Sequence, residues 1–276
     1  SMYEEFEQHH FEVGGHEGIL ICPKVPREDR KYIWRTEFLG AFDSVDREML
    51  KRGWYLAYYK ISDQFGAPCA IEKMRRFQAY LEEEFALAAR AVLFGFSRGG
   101  LYAVNYAAAY PEKTAKLYLD APVLDIFSWP GGFGRGEGSE KDWNICREFY
   151  GVKEGETDVS ENPMNKIKTL IQNRIPVLLV AGDADTVVPF RENGQLLYAE
   201  YTYAGVPIKM IVKPGVGHHP HSLEEPTELA DWIEFDEEYG CIIEEGAMDW
   251  QIFQQKEDGF AEISLRGRCV NLFDER

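Results

Sequence analysis

The stretch Ala91-Val92-Leu93-Phe94-Gly95-Phe96-Ser97-Arg98-Gly99-Gly100 decides the fold. Its first six residues form an unbroken apolar run, as a parallel strand buried on both faces requires. The residues that follow, Leu101 to Ala109, are rich in Ala and read as a helix that stops before Pro111. Between strand and helix lies Gly95-Phe96-Ser97-Arg98-Gly99, a Gly-x-Ser-x-Gly turn. By itself this pattern is also an ordinary Gly-Ser turn, and the elements on either side give it meaning. A serine on a sharp strand-to-helix turn sits in strained backbone and is lifted to the carboxyl edge of the sheet. Glycines flank it because a side chain there would collide with the neighbouring strand or helix. The helix N-terminus also offers the Arg98 backbone N–H to a developing oxyanion. Ser97 is therefore the candidate nucleophile.

Outward from this turn the chain alternates strands and helices. Phe11–Val13 and Gly18–Cys22 read as strands turned by Gly14-Gly15, and Lys31–Arg35, Trp54–Tyr59, Ala115–Leu119, Ile175–Ala181 and Ile208–Lys213 as further strands. Ser44 is placed as the N-cap of a short helix over Val45–Arg52 that Gly53 ends. Ile71–Arg90 carries Met74, Phe77, Tyr80 and Leu81 at helical spacing, and Arg191–Ala204 and Glu228–Phe235 are the later helices. Such alternation predicts a mostly parallel sheet with helices on both faces. Residues 122–165 break the rhythm. Rich in Gly, Trp and charge, they are read as a cap inserted over the carboxyl edge, since an unstructured loop of that length is uncommon.

A serine hydroxyl needs a base to take its proton. Of the six histidines, His9, His10 and His16 precede the sheet proper. His218, His219 and His221 follow the last strand in Gly215-Val216-Gly217-His218-His219-Pro220-His221. A Ser, then acid, then His order along the chain admits only the later group. His218 is favoured because two glycines free its loop to turn back toward Ser97, whereas Pro220 restricts the backbone of His219. The other two are read as supporting or surface groups. The trio could ligate a metal, but no cysteine or carboxylate stands at ligand spacing beside it, so neither metal nor cofactor is expected. The acid belongs after Ile175–Ala181, in Gly182-Asp183-Ala184-Asp185-Thr186-Val187-Val188-Pro189. Asp185 lies deeper in this loop and is assigned to orient the histidine. Asp183 is assigned to brace the loop through backbone N–H groups.

Composition sets the limits. The chain has 276 residues, 45% of them hydrophobic and 14% aromatic, as in a globular protein. Its formal charge of −17 disfavours a nucleic-acid partner. No apolar run approaches the ~18 residues of a membrane span, so no membrane partner is expected. Five scattered cysteines without a Cys-x-x-Cys pair, and an opening Ser1-Met2-Tyr3-Glu4-Glu5 unlike a signal peptide, point to a cytoplasmic protein, with a signal upstream of Ser1 also compatible.

The elbow at Ser97, the Gly182-x-x-Asp185-x-x-Val188-Pro189 segment and the Gly217-His218 loop together resemble the α/β-hydrolase superfamily over about residues 10–236. The resemblance implies an α/β-hydrolase fold with Ser97, Asp185 and His218 as catalytic triad. Many members carry His-Gly after the third strand to supply a second oxyanion donor. Here Trp34-Arg35 stands at that point, so Arg98 and Arg35 are the oxyanion candidates. Arg35 has two competing readings, a grip on a substrate carboxylate and an ion pair with an acidic neighbour. Trp34, with Trp129 and Trp143 of the insert, is a substrate-binding candidate. The span from Trp34-Arg35 to His221 also resembles a bacterial group of esterase-like hydrolases, some associated with carbohydrate esters.

These readings divide the chain into a hydrolase domain over 1–236 and a C-terminal extension over 237–276. In the extension, Trp250–Gln255 and Phe260–Leu265 read as strands joined at Asp258-Gly259. They resemble the opening of a β-sandwich module; an isolated hairpin is marginal in water, so the piece is expected to pack on the main domain, pair with another chain or begin a further domain. The expected activity is hydrolysis of a carboxylic ester through an acyl-enzyme, with an acyl or methyl ester on a carbohydrate as the substrate class. A serine peptidase of the same fold and a non-catalytic binding module are the alternatives.

Overall fold

The computed structural model describes residues 3–235 and four short strand segments between 241 and 271. An eight-stranded sheet runs β1 (Glu7–Val13), β2 (His16–Cys22), β4 (Tyr55–Tyr59), β3 (Tyr32–Arg35), β5 (Ala91–Phe96), β6 (Thr114–Asp120), β7 (Val177–Gly182) and β8 (Ile208–Lys213). β1 and β2 form an antiparallel hairpin, β2 joins β4 antiparallel, and every pairing from β4 to β8 is parallel. This is the α/β-hydrolase arrangement. From β3 the chain turns outward to β4, and from β5 it proceeds the other way. The carboxyl ends of β3 and β5 thus flank the crevice where open α/β sheets bind ligands.

Strand periodicity splits the core into two layers. Leu93 and Leu179 face one side, with α2 (Pro68–Phe85), α3 (Gly99–Ala109), α5 (Ile167–Gln172) and α6 (Gly194–Ala204), through Phe77, Tyr102, Tyr106, Leu170 and Tyr201. Val92, Phe94, Leu178 and Val180 face the other, against Met49 and Leu50 of α1 (Ser44–Lys51) and Leu229 and Ile233 of α7 (Thr227–Glu234).

Some boundaries differ from the sequence reading for local reasons. α2 begins at Pro68, whose fixed φ suits the first helical turn, and ends at Ala86 in the left-handed region. Ser44 is not a cap. It opens α1 itself, and its hydroxyl donates to the Leu223 carbonyl at 3.0 Å. The helix expected from Arg191 is interrupted at Asn193. The side-chain oxygen of Asn193 accepts from the N–H groups of Leu124 and Asp125, and α6 starts after it.

Residues 122–165 follow the carboxyl end of β6 and contain a further helix, α4 (Glu140–Tyr150), capped by Ser139 and closed by Gly151. The segment is fastened to the main body by Tyr150 Oη on the Phe65 carbonyl (2.9 Å) and by Ser128 Oγ on Glu192 (2.7 Å). It is also tied to the acid loop, where Glu137 N donates to the Thr186 carbonyl at 3.0 Å and Thr186 Oγ1 donates to Glu137 at 2.9 Å. In the extension, Asp249–Ile252 pairs antiparallel with Ile263–Arg266, placing Trp250 opposite Leu265. The expected turn at Asp258-Gly259 lies outside the described residues.

Candidate active site

Ser97 has φ of +49°, the left-handed region a β-carbon normally avoids, and the elbow around it is over-determined. Its N–H donates to the Asp120 carbonyl (2.9 Å), and its own carbonyl accepts from Gly100 and Val123 (2.9 Å each). Close packing explains the glycines. A methyl group on Gly95 would lie 2.9 Å from Ala103 Cβ, and one on Gly99 would lie 2.8 Å from Thr36 Oγ1.

The three residues expected to act together meet. Ser97 Oγ is 2.8 Å from His218 Nε2, and His218 Nδ1 is 2.7 Å from Asp185 Oδ2. Asp185 Oδ1 accepts from the N–H groups of Val187 and Val188 at 2.9 Å each, so both carboxylate oxygens are engaged and the side chain is buried. Asp183 braces the loop, accepting from Gly215 N at 2.6 Å. A second strut joins the acid and histidine loops, from Ala184 N to the Val216 carbonyl at 3.0 Å. An imidazole held by a carboxylate on Nδ1 presents Nε2 as a base to the serine, which makes the arrangement competent for nucleophilic catalysis.

Among the described residues the Arg98 N–H has no backbone acceptor, consistent with an oxyanion donor at the start of α3. Arg35 does not join it. It ends β3 between Tyr58 of β4 and Phe94 of β5. N–H groups of a strand alternate between neighbours, and that of Thr36 goes to the Phe94 carbonyl (3.1 Å), so that of Arg35 faces β4. Its side chain is fully buried, donating to Asp46 Oδ2 (2.8 Å) and to the Ala41 carbonyl while lying over the Phe96 ring. The ion-pair reading of Arg35 holds, and the oxyanion and substrate readings do not. The next N–H, that of Glu37, also lacks a backbone acceptor and lies against the elbow beside Gly99.

Trp34 is likewise corrected. It is buried between Phe77 and Tyr106, because alternation along β3 turns it into the helix layer below the sheet. Trp129 is half-buried and leans on Phe65, whose ring carries the Arg98 guanidinium 5.3 Å above it. Trp143 packs on Phe127 and Phe133 within the insert itself.

Two groups near the site escaped the sequence reading. Glu37 is buried beside Arg98 at 3.4 Å. Burial raises its carboxyl to about 7, against the opposing pull of Arg98 and the hydroxyls of Ser62 and Tyr102. Asp120, at the carboxyl end of β6, holds His221 Nδ1 at 2.7 Å and accepts from Ser222 N at 2.6 Å. The available signal for Asp120 was a carboxylate directly after the apolar run Leu117-Tyr118-Leu119. Glu37 gave none beyond its place in the turn after β3.

Comparison with known proteins agrees with this geometry. Residues 57–239 match the prolyl oligopeptidase family. The rat acylamino-acid-releasing enzyme is 28% identical over 153 residues, covering 54% of this chain and 20% of that protein. The human enzyme of the same name is 25% identical over 153 residues, with the same coverage. The chain thus spans about a fifth of these relatives. Among solved structures, an acylaminoacyl peptidase from Pyrococcus horikoshii superposes with a TM-score of 0.62 at 16% identity, covering 85% of this chain and 41% of its own. A puromycin hydrolase gives 0.59 at 18% identity over 78% of this chain and 36% of its own. At these identities the structures show the shared fold.

Proposed function

The chain belongs to the prolyl oligopeptidase family, and from that premise we propose that this serine hydrolase is a peptidase acting on short peptide or N-acylated aminoacyl amide bonds. The observation that carries the chemistry is the continuous line from Ser97 Oγ through His218 to Asp185. In the proposed mechanism Ser97 attacks the carbonyl as its proton passes to His218 Nε2. The Arg98 N–H, with that of Glu37 as second donor, stabilises the oxyanion. His218 then gives its proton to the leaving amine, and water enters by the reverse sequence. Asp185 supports the imidazolium throughout.

The same machinery opens an ester, so the geometry does not separate the two substrate classes. The family and the names of the relatives favour the peptidase over the carbohydrate ester of the initial expectation. An insert fastened above the carboxyl edge also suits a short peptide better than a folded chain. The test is a panel of N-acetyl-aminoacyl anilides, free aminoacyl anilides, aryl esters and acylated sugars, compared by kcat/KM. Efficient anilide turnover supports the proposal. Turnover of acylated sugars without any amide hydrolysis would return the reading to an esterase.

A further inference from the structure

Three imidazoles stand together beside the nucleophile, His218 within hydrogen-bond reach of Ser97. The rings of His218, His219 and His221 are 4.9–5.0 Å apart, centre to centre, and meet at 65°, 82° and 87°. One ring nitrogen from each lies within 4.8 Å of the other two. Two carboxylates distant in sequence brace the trio, Asp185 of the loop after β7, which the sequence already paired with the histidine, and Asp120 at the end of β6, which it did not. Asp185 holds His218 Nδ1 and Asp120 holds His221 Nδ1, both at 2.7 Å. A carboxylate on one nitrogen orients the ring and raises the basicity of the other, the arrangement that supports histidine ligands of zinc. The third ring, His219, is exposed, rests on Phe42 (15° between planes) and is the least constrained of the three. Two nitrogens on one zinc ion stand about 3.4 Å apart, so an ion would draw the three rings together from within 4.8 Å by small turns, that of His219 the freest.

We propose that His218, His219 and His221 form a Zn²⁺ site that switches the hydrolase off. The ion takes the Nε2 lone pair of His218, the one that receives the serine proton, with nitrogens from His219 and His221 and a water completing a tetrahedron. Ser97 Oγ then loses its acceptor and stays a hydroxyl. Chelation of the ion restores the base. The metal site rests on the rings and their carboxylates and is independent of whether amide or ester is cleaved.

The test pairs two readouts. Calorimetry with ZnCl₂ on the Ser97→Ala protein should show one ion bound per chain, and Co²⁺ should give a tetrahedral-type visible spectrum. In the otherwise native enzyme, Zn²⁺ should abolish turnover of a small aryl ester and a chelator should restore it. His219→Ala, which alters only the exposed ring, should keep metal-free turnover and weaken zinc binding and inhibition together by about tenfold or more, with His219→Gln as a second variant should alanine misfold. Asp120→Asn, acting through His221, should weaken Zn²⁺ binding in the Ser97→Ala background by about tenfold. Equal zinc sensitivity in His219→Ala and native enzyme, or no bound ion in Ser97→Ala, would overturn the proposal.

Discussion

The carbonyl oxygen of Val216 is seated so close to the Cα of Gly182 that a methyl group on that carbon would lie 2.2 Å from it. Gly182 ends β7 just ahead of the acid, and Val216 stands two residues before His218, so this contact sets how closely the acid and base loops approach. Gly182→Ala should push the histidine loop outward and lower kcat by about 10²-fold, the scale of an ångström of misplacement. Circular dichroism should be unchanged. An alanine variant with native kcat would show that the loops are set elsewhere.

Ser97→Ala should remove turnover by about 10⁶-fold, as loss of a triad nucleophile does, and abolish labelling by a fluorophosphonate. Retained labelling at another residue would relocate the nucleophile.

The two aspartates of the acid loop should separate cleanly. Asp185→Asn should cost about 10⁴-fold in kcat, because the amide holds the wrong tautomer of His218. Asp183→Asn weakens only the bond to Gly215 N and should cost less than about tenfold, with a lowered melting temperature. A pH–rate profile of both variants beside the native enzyme is the check. The reverse ranking would exchange the roles.

The two tryptophans of the insert should differ as well. Trp129 reaches the Phe65–Arg98 group beside the nucleophile, whereas Trp143 braces Phe127 and Phe133. Trp129→Ala should raise KM for extended substrates while sparing a small aryl acetate. Trp143→Ala should instead lower the melting temperature, at a cost of about 3 kcal/mol or less, since its ring is only half-buried. Equal KM effects from both would give the whole insert one role.

Glu37 predicts a pH signature. Burial raises its carboxyl from an ordinary 4.5 to about 7. Between those values the folded protein keeps a proton that the unfolded chain has released. Stability therefore falls as pH rises through this window and levels off above it. Glu37→Gln carries no such proton, so its melting temperature should decline less between pH 4.5 and 7. Parallel melting curves for variant and native protein would show that Arg98 keeps the carboxylate ionised.

What the sequence determined was whatever rests on neighbours along the chain. An apolar run leading into Gly-x-Ser-x-Gly and then a helix has one favourable packing, and loops after β7 and β8 must open at the same edge of a parallel sheet. The meeting of Ser97, Asp185 and His218 was legible for that reason, as was a bond from Asp183 to the backbone of a neighbouring loop. The tertiary structure decided what depends on register and on partners far away. Alternation along β3 buries Trp34 and aims the Arg35 N–H at β4, and Asp46 then claims the Arg35 side chain. Asp120 meets His221 across 101 residues. Glu37 owes its raised carboxyl to burial that only the folded chain creates. A carboxylate's partner and its dielectric surroundings are properties of the assembled core, and local spacing carries no record of either.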